Sequence, residues 1–361
     1  MRIDECPHLA KGNAEPIEIF AHELLTYVES VIAVHNPPES DFAFGPLTVK
    51  LRIVGETFRR RLTTAIAFAQ LRNAQESALA WRIAAIDGAS SGVGVPPGWN
   101  FRVTSERHLE RLHHSADQKL SVRYDPDTQT WRILSVAQRL AIIWTADAER
   151  LPDWDDSAPC RDLFHWMTLP TEYFLAHAAA IGIGEKGVLL TGPGGSGKST
   201  TTGAAILRGL LTAGDDFVLI EPRFAQAYAL FDSIKLDAGS AALLSDLAAD
   251  AVNSDRRHSE KARIHLFGSR PAVLVPRMPI DAVLLPRLDG GPKTTFVPAS
   301  HGDAMRALVP STIFLMRGGE RETARKATLF LRKLPAYRCN LGRDPREAAD
   351  AISVFVNGIS K

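Results

Sequence analysis

"GPGGSGKSTTTG", residues 192–203, decides how the chain is read. It fits the pattern G-x-x-x-x-G-K-[ST] in full, with Gly192, Gly197, Lys198 and Ser199 at the fixed positions. The continuous apolar run "GVLLTG" (187–192) leads into it, as a strand covered on both faces would. A helix is expected from Lys198 to about Arg208, capped by Gly209. Strand, glycine loop and helix are the context in which such a loop cradles phosphates. The glycines let several N–H groups converge on one anion, and the helix N-terminus adds partial positive charge. The expected phosphate-binding residues are Gly192, Gly194, Gly195, Ser196, Gly197, Lys198, Ser199 and Thr200. Lys198 should reach the outer phosphates and Ser199 should ligate Mg²⁺.

The next informative stretch is "LLTAGDDFVLIE" (210–221). Asp215 and Asp216 follow Lys198 by only 17 and 18 positions, with an apolar run on each side. A strand "LLTA" returning beside "GVLLTG" would bring both acids to the loop, and "FVLIE" would then run back antiparallel. One carboxylate can hold the metal with Ser199 while the other takes a proton from an attacking hydroxyl. ATP and Mg²⁺ are the implied cofactors. This compact spacing suits a small catalytic site better than a motor ATPase.

Length and charge set the frame. The 361 residues suggest two domains at roughly 150 residues each. The formal charge of +1, from 42 Lys+Arg against 41 Asp+Glu, gives no bulk attraction to nucleic acid or anionic membrane. Neither is expected as a partner. No run of roughly 18 apolar residues is present, and the N-terminus lacks the apolar core of a signal peptide. A soluble, cytoplasmic protein is expected. Cys6, Cys160 and Cys339 are far apart and read as reduced thiols.

Residues 1–150 read as a small α+β accessory or recognition domain. Strands are expected at 47–55 and 78–87, a helix at 57–72, and a hairpin at 119–135 around "DPDT". The run "RRR" (59–61) reads as the solvated face of that helix. His113 and His114 have no partners at metal spacing. Residues 151–171, beginning "LPDWDDSAPC", read as a linker and connecting helix, and 172–361 as the phosphate-loop domain. In that domain Lys261 and Arg263 alternate and could share one face of an extended segment, after the polar run "DRRHSEK" (255–261). The basic residues of 310–334 read mostly as surface, with Arg317 following an apolar strand.

From about 172 to 356 the chain resembles the HPr serine kinase/phosphorylase family, and most closely the broad group of HPr-kinase-like proteins. That superfamily shares its nucleotide core with phosphoenolpyruvate carboxykinase. The resemblance rests on "FLAHAAAIGIGEKGVLLTGPGGSGKST", "AGDDFVLI", "LFDSIKLD" (230–237), "EKARIHL" (260–266), "PSTIFLM" (310–316) and "LPAYRCNLGRDP" (334–345). It implies an α/β fold: a C-terminal P-loop core with a mixed sheet, beside the small N-terminal α+β domain. It implies Asp216 as general base and Asp215 at the metal, with the two roles exchangeable. His177 would lie near the transferred phosphate. Lys235, Lys261 and Arg263 would hold phosphate or acceptor. The glycine-rich signature of HPr kinases is not found intact, "IHLFGSRPAVLV" (264–275) being a fragment of it. HPr itself is therefore not implied as acceptor. Some members of the wider group phosphorylate lasso peptides at a terminal serine.

The resulting expectation is an ATP-dependent kinase acting on a hydroxyl, a serine of a peptide or protein. A small hydroxylated metabolite as acceptor, and a nucleotide-sensing module without chemistry, stay open. Family members form oligomers, and a homo-oligomer is left open here.

Overall fold

The computed structural model describes residues 16–71, 80–94, 111–115, 119–257 and 259–359. It is mixed α/β, and the chain divides into two compact units. The first comprises residues 1–42, 48–61 and 71–152; the second comprises 43–47, 62–70 and 153–361. Residues 153–171, expected as a connecting segment, thus group with the phosphate-loop region.

The first unit is built on a seven-stranded sheet. In chain order its strands are β1 (Glu39–Phe44), β2 (Leu47–Val54), β3 (Trp81–Asp87), β4 (Arg111–His114), β5 (Leu120–Asp125), β6 (Thr130–Ser135) and β7 (Leu140–Thr145). Their spatial order is β1-β2-β3-β7-β6-β5-β4. β2, β3 and β7 run parallel, and β4 to β7 form an antiparallel meander. The helix Pro16–His35, not foreseen from the sequence, buries Phe20, Leu24, Leu25 and Val28 against this sheet with Trp131 and Trp144. The expected hairpin forms as β5 and β6. The expected helix 57–72 is shorter: Glu56–Thr63 is α-helical and Thr64–Ala69 tightens to a 3₁₀ helix.

The arginine run there is not uniformly solvated. Arg60 is exposed, but Arg61 is buried and donates to the carbonyls of Ala148 and Leu151, each at 2.8 Å. A guanidinium can satisfy several chain carbonyls at once, which offsets its desolvation.

In the second unit the strands are β8 (Phe174–Ala176), β9 (Ala178–Ile183), β10 (Lys186–Thr191), β11 (Leu211–Gly214), β12 (Val218–Glu221), β13 (Gln226–Ala229), β14 (Ser233–Leu236), β15 (Ala262–His265), β16 (Arg277–Pro279), β17 (Ala282–Leu288), β18 (Thr295–Ala299) and β19 (Ala336–Leu341). A six-stranded sheet has the order β11-β9-β10-β17-β19-β18; a second sheet is β16-β13-β12-β8; β14 and β15 form a separate ribbon. β10 alternates between two cores. Val188 and Leu190 face helices Lys198–Leu207 and Pro345–Gly358, while Leu189 faces helices His301–Leu315 and Glu320–Leu331. Burial on both faces explains the unbroken apolar run in the sequence.

Two placements differ from expectation. β11 pairs with β9, so β9 stands between it and β10. β12 does not turn back on β11 but joins β8 and β13 in the second sheet. The cause is local. Gly214 has φ 132° and Asp216 φ 66°, so the chain turns sharply out of the first sheet after two residues with left-handed backbone. Residues 310–315 are helical rather than a strand, so Arg317 follows a helix end, and its carbonyl accepts from Trp166 Nε1 at 3.1 Å.

Lys326, expected at the surface, is 1 % exposed. Its ammonium donates to the carbonyls of Thr168, Leu169 and Tyr173 at 2.9–3.1 Å, beyond the end of helix Arg161–Thr168. It takes the place of water for carbonyls that a helix end leaves open. Cys160 and Cys339 are buried, and among the described residues neither is in a disulfide. Cys6, the side chains of His113 and His114, and His258 lie outside the described residues. Among the described residues no helix is long and apolar enough to cross a membrane.

Candidate active site

The loop 192–197 joins β10 to the helix Lys198–Leu207, as the motif requires. Gly195 and Gly197 have φ of 79° and 101°. A Cβ on Gly197 would lie 2.7 Å from Leu341 Cδ1, so position 197 excludes a side chain on two grounds. A Cβ on Gly194 would meet nothing within 4 Å, so the loop is open there. The first α-helical bond runs from Thr201 N–H to Gly197 O, which leaves the amides of Lys198, Ser199 and Thr200 ahead of it. The helix ends as expected. Gly209 (φ 81°) donates to Ile206 O and Leu210 to Ala205 O, the paired bonds of a Schellman cap.

Lys198 is buried and donates to Gly192 O at 2.7 Å and Pro193 O at 3.2 Å. Burial lowers its pKa, while the charges of Asp215 and Asp216 work the other way. The Ser196 hydroxyl is buried without a partner. The Thr200 hydroxyl is already engaged with Ser240 Oγ at 2.6 Å, so its contribution to an anion would be its amide.

β11 delivers the two acids. Asp215 is 2 % exposed, and its carboxylate oxygens make no hydrogen bond of ordinary geometry, although the Ser199 hydroxyl lies near enough to favour the ionised form. Burial, and then the neighbouring Asp216 charge, push its carboxyl up to about 6. The Ser199 hydroxyl, Lys198 and Lys235 favour the ionised form but do not outweigh them. A buried acid with two empty oxygens beside a serine hydroxyl is costly unless something else satisfies it. A divalent cation held between Asp215 and Ser199 would do so. The open loop and the unpartnered Ser196 hydroxyl suit phosphate oxygens in the same way. The residues present therefore fit Mg²⁺ and a nucleotide.

Asp216 has the opposite surroundings. Lys235 Nζ lies 2.5 Å from Oδ2, and His177 Nε2 lies 3.5 Å from Oδ1. Burial works against its charge, but His177 and Lys235 prevail and hold its carboxyl well below the usual range. Phe217 N–H donates to Asp215 O at 2.7 Å across it, a γ-turn whose central residue is left-handed. Asp tolerates this backbone better than most residues, yet it remains strained, and such strain gathers at functional sites.

His177 stands between β8 and β9, where its chain N–H donates to the Thr312 hydroxyl at 3.0 Å. Its ring is 5.5 Å from that of Phe217, and its Nδ1 is buried without a partner. Lys235 sits on β14 directly opposite Arg263 on β15. Lys261 and Arg263 do alternate along this edge. Lys261 is exposed and acts electrostatically on Lys198 and Asp237. Arg263 turns to acidic residues instead: Nη1 donates to Asp156 Oδ2 at 2.8 Å and to Asp153 O at 2.9 Å.

His177, Lys198, Ser199, Asp215, Asp216 and Lys235 thus form one continuous group, with Lys261 near its loop side and Arg263 directly across the ladder from Lys235. The sequence did not indicate Phe217, Thr312, Arg161, Asp153 or Asp156 as neighbours of this group. The acids of "DWDD" were visible, but nothing in their spacing linked them to a strand more than a hundred positions later. Among the described residues no group of three or more His, Cys, Asp or Glu side chains could hold a metal by itself, so a cation here would draw on Ser199, Asp215 and ligand oxygens.

No family model matches the chain, and no curated protein matches it. Among solved structures it is similar to the HPr(Ser) kinase/phosphatase from Coxiella burnetii, with 16 % identity and a TM-score of 0.26. That match covers 51 % of this chain and 88 % of the other.

Proposed function

We propose that the protein is an ATP-dependent kinase of the HPr-kinase-like kind that transfers the γ-phosphate to a hydroxyl, a serine on a peptide or protein. The observation that carries this reading is the division between two adjacent carboxylates. Asp215 is buried, unpartnered and beside Ser199; Asp216 is ionised and fixed by His177 and Lys235. Two acids with environments that push their pKa values apart serve two different roles.

Bound Mg-ATP supplies the transferable phosphoryl group and, through the metal, spreads its charge. The loop amides and Lys198 bind phosphate oxygens, with Lys198 exchanging the carbonyls of Gly192 and Pro193 for them. Ser199 and Asp215 hold the cation. Asp216 would accept a hydrogen bond from the acceptor O–H and take its proton as the new O–P bond forms and the bond from the γ-phosphorus to the β,γ-bridging oxygen breaks, with ADP as the leaving group. Its low basicity is compatible with this role. In a loose transition state the hydroxyl keeps most of its proton until late, so orientation matters more than base strength. Lys235 and His177 fix the carboxylate, and the Lys235 ammonium adds positive charge where the transferring group is most negative.

The test is ADP release from Mg-ATP, with and without serine peptides, HPr and hydroxylated metabolites. ADP formed only with a serine-containing acceptor supports the reading. Release that no acceptor stimulates would assign hydrolysis instead. Stimulation by metabolites alone would move the acceptor class to small molecules.

A further inference from the structure

The β14–β15 ribbon presents one polar face. Ser233 pairs with His265 and Lys235 with Arg263, so these four side chains lie on the same side of the ladder. Lys235 ends on Asp216. Across the ladder, the chain's own segment 153–157 lies against this face. Arg263 binds Asp156 Oδ2 and Asp153 O, and its Nη2 is 3.7 Å from Asp153 Oδ2. Ser233 Oγ donates to Ser157 O. Within the same segment the Trp154 ring lies 4.6 Å from the Arg161 guanidinium, which is also 5.6 Å from the ring of Phe217. Phe217 in turn rests on His177. The stretch "DWDDS" therefore engages Arg263 through its acids and Arg161 through the Trp154 ring, while Arg161 also lies 3.9 Å from Asp162 Oδ1.

We propose that Arg263 and Arg161 form the recognition site for an acidic segment of the acceptor, and that residues 153–156 occupy that site in the free chain. This rests on the kinase reading above and specifies its substrate class. The arginine side of the contact is built into the fold. Arg263 is 14 % exposed at its side chain, and its Nε is buried without a partner, so its planar fork has an unused donor. The acidic side is loose at one end and half-buried at the other. Asp153 is 64 % exposed and Trp154 43 %, so both can leave for water at small cost, whereas Asp156 is 23 % exposed. A desolvated fork held in part by an exposed carboxylate is an arrangement that a second carboxylate of better geometry can take over.

The acceptor this implies is an acidic peptide, with an Asp or Glu near its phosphorylated hydroxyl.

The probe is a fluorescent peptide of this chain's residues 151–159, LPDWDDSAP, beside its neutral counterpart LPNWNNSAP. Each is titrated by anisotropy against the full chain as parent, as the D153N/D156N double variant, and as that variant with R263Q. The acidic peptide should bind the double variant at least tenfold more tightly than the parent. The neutral peptide should show no such gain, and R263Q should abolish it. Equal binding to parent and double variant, a gain shared by the neutral peptide, or a gain that survives R263Q would overturn the proposal. The D156N single variant carries the same expectation at smaller size if the double variant does not fold. Labelled ATP is titrated in parallel. Loss of ATP binding on R263Q would assign Arg263 to the nucleotide and overturn the acceptor role. Peptide binding needs no turnover, so a failed kinase assay leaves this result standing, and a failed peptide titration leaves the kinase reading standing.

Discussion

Lys235 Nζ and Asp216 Oδ2 stand 2.5 Å apart, which joins the β14–β15 ribbon to the turn that follows β11. The pair links the ribbon to the group around the glycine loop as well as neutralising charge. Asp216→Asn leaves the Lys235 ammonium without its counter-charge, and Lys235→Met leaves the carboxylate without its own. Each single variant should cost about 1–3 kcal/mol in urea melts at pH 7, and the double variant less than the sum. Fully additive losses would mean that the pair is not coupled. The held-down carboxyl of Asp216 also contributes stability above the unfolded value of about 3.9, and this is lost as the pH falls below it.

Asp215 carries the opposite sign. Its carboxyl is raised to about 6, so the folded chain holds the proton more tightly than the unfolded chain. Stability of the nucleotide-free protein should fall as pH rises from about 4 to about 6, and the cost should then stay constant. Asp215→Asn removes that cost. In EDTA the variant should be about 1–3 kcal/mol more stable than the parent at pH 7.5, with the difference vanishing near pH 4. The same variant should lose Mg²⁺-dependent nucleotide affinity. A variant less stable than the parent at pH 7.5 contradicts the placement of Asp215 as an unpartnered buried acid.

The loop glycines separate cleanly. Gly197→Ala adds a Cβ at φ 101° and 2.7 Å from Leu341 Cδ1, and should cost about 1–3 kcal/mol. Gly194→Ala adds one in open space and should stay within about 0.5 kcal/mol of the parent. Thermal melts without nucleotide read both, and equal shifts would contradict the loop geometry.

Lys326→Met removes an ammonium that serves three chain carbonyls. Thr168 O keeps the Thr171 N–H and hydroxyl as donors, so losing the ammonium at Leu169 O and Tyr173 O should destabilise by about 1–3 kcal/mol, with nucleotide affinity per folded molecule unchanged. A loss of affinity without a loss of stability would show that this lysine acts on the site and is not a structural clamp.

The glycine loop 192–197 and its flanking elements were legible because each carries a local signal. β10 is buried on both faces and therefore uniformly apolar, the glycines supply left-handed backbone, and Gly209 closes the helix. The resemblance and the spacing together also pointed to His177, Asp215, Asp216 and Lys235, which the structure brings together. What remained hidden depends on pairing between distant segments. That β9 lies between β11 and β10 cannot be read from "LLTA", because burial of β11 is the same beside either neighbour. Arg61 and Lys326 resembled solvated charges, since a long side chain that binds main-chain carbonyls leaves no mark at the positions it serves. The acids at 153 and 156 read as a linker because their partner, Arg263, lies on a strand far along the chain.

The central claim is that this site moves phosphate onto a hydroxyl. It is tested most directly by incubating the full chain with Mg²⁺ and γ-labelled ATP in the presence of acidic serine peptides, and following the label by mass spectrometry. The parent should place the label on a serine oxygen. Asp216→Asn should bind the nucleotide but transfer at least about 100-fold more slowly. Label recovered only as free phosphate, or transfer undiminished in Asp216→Asn, would contradict the account.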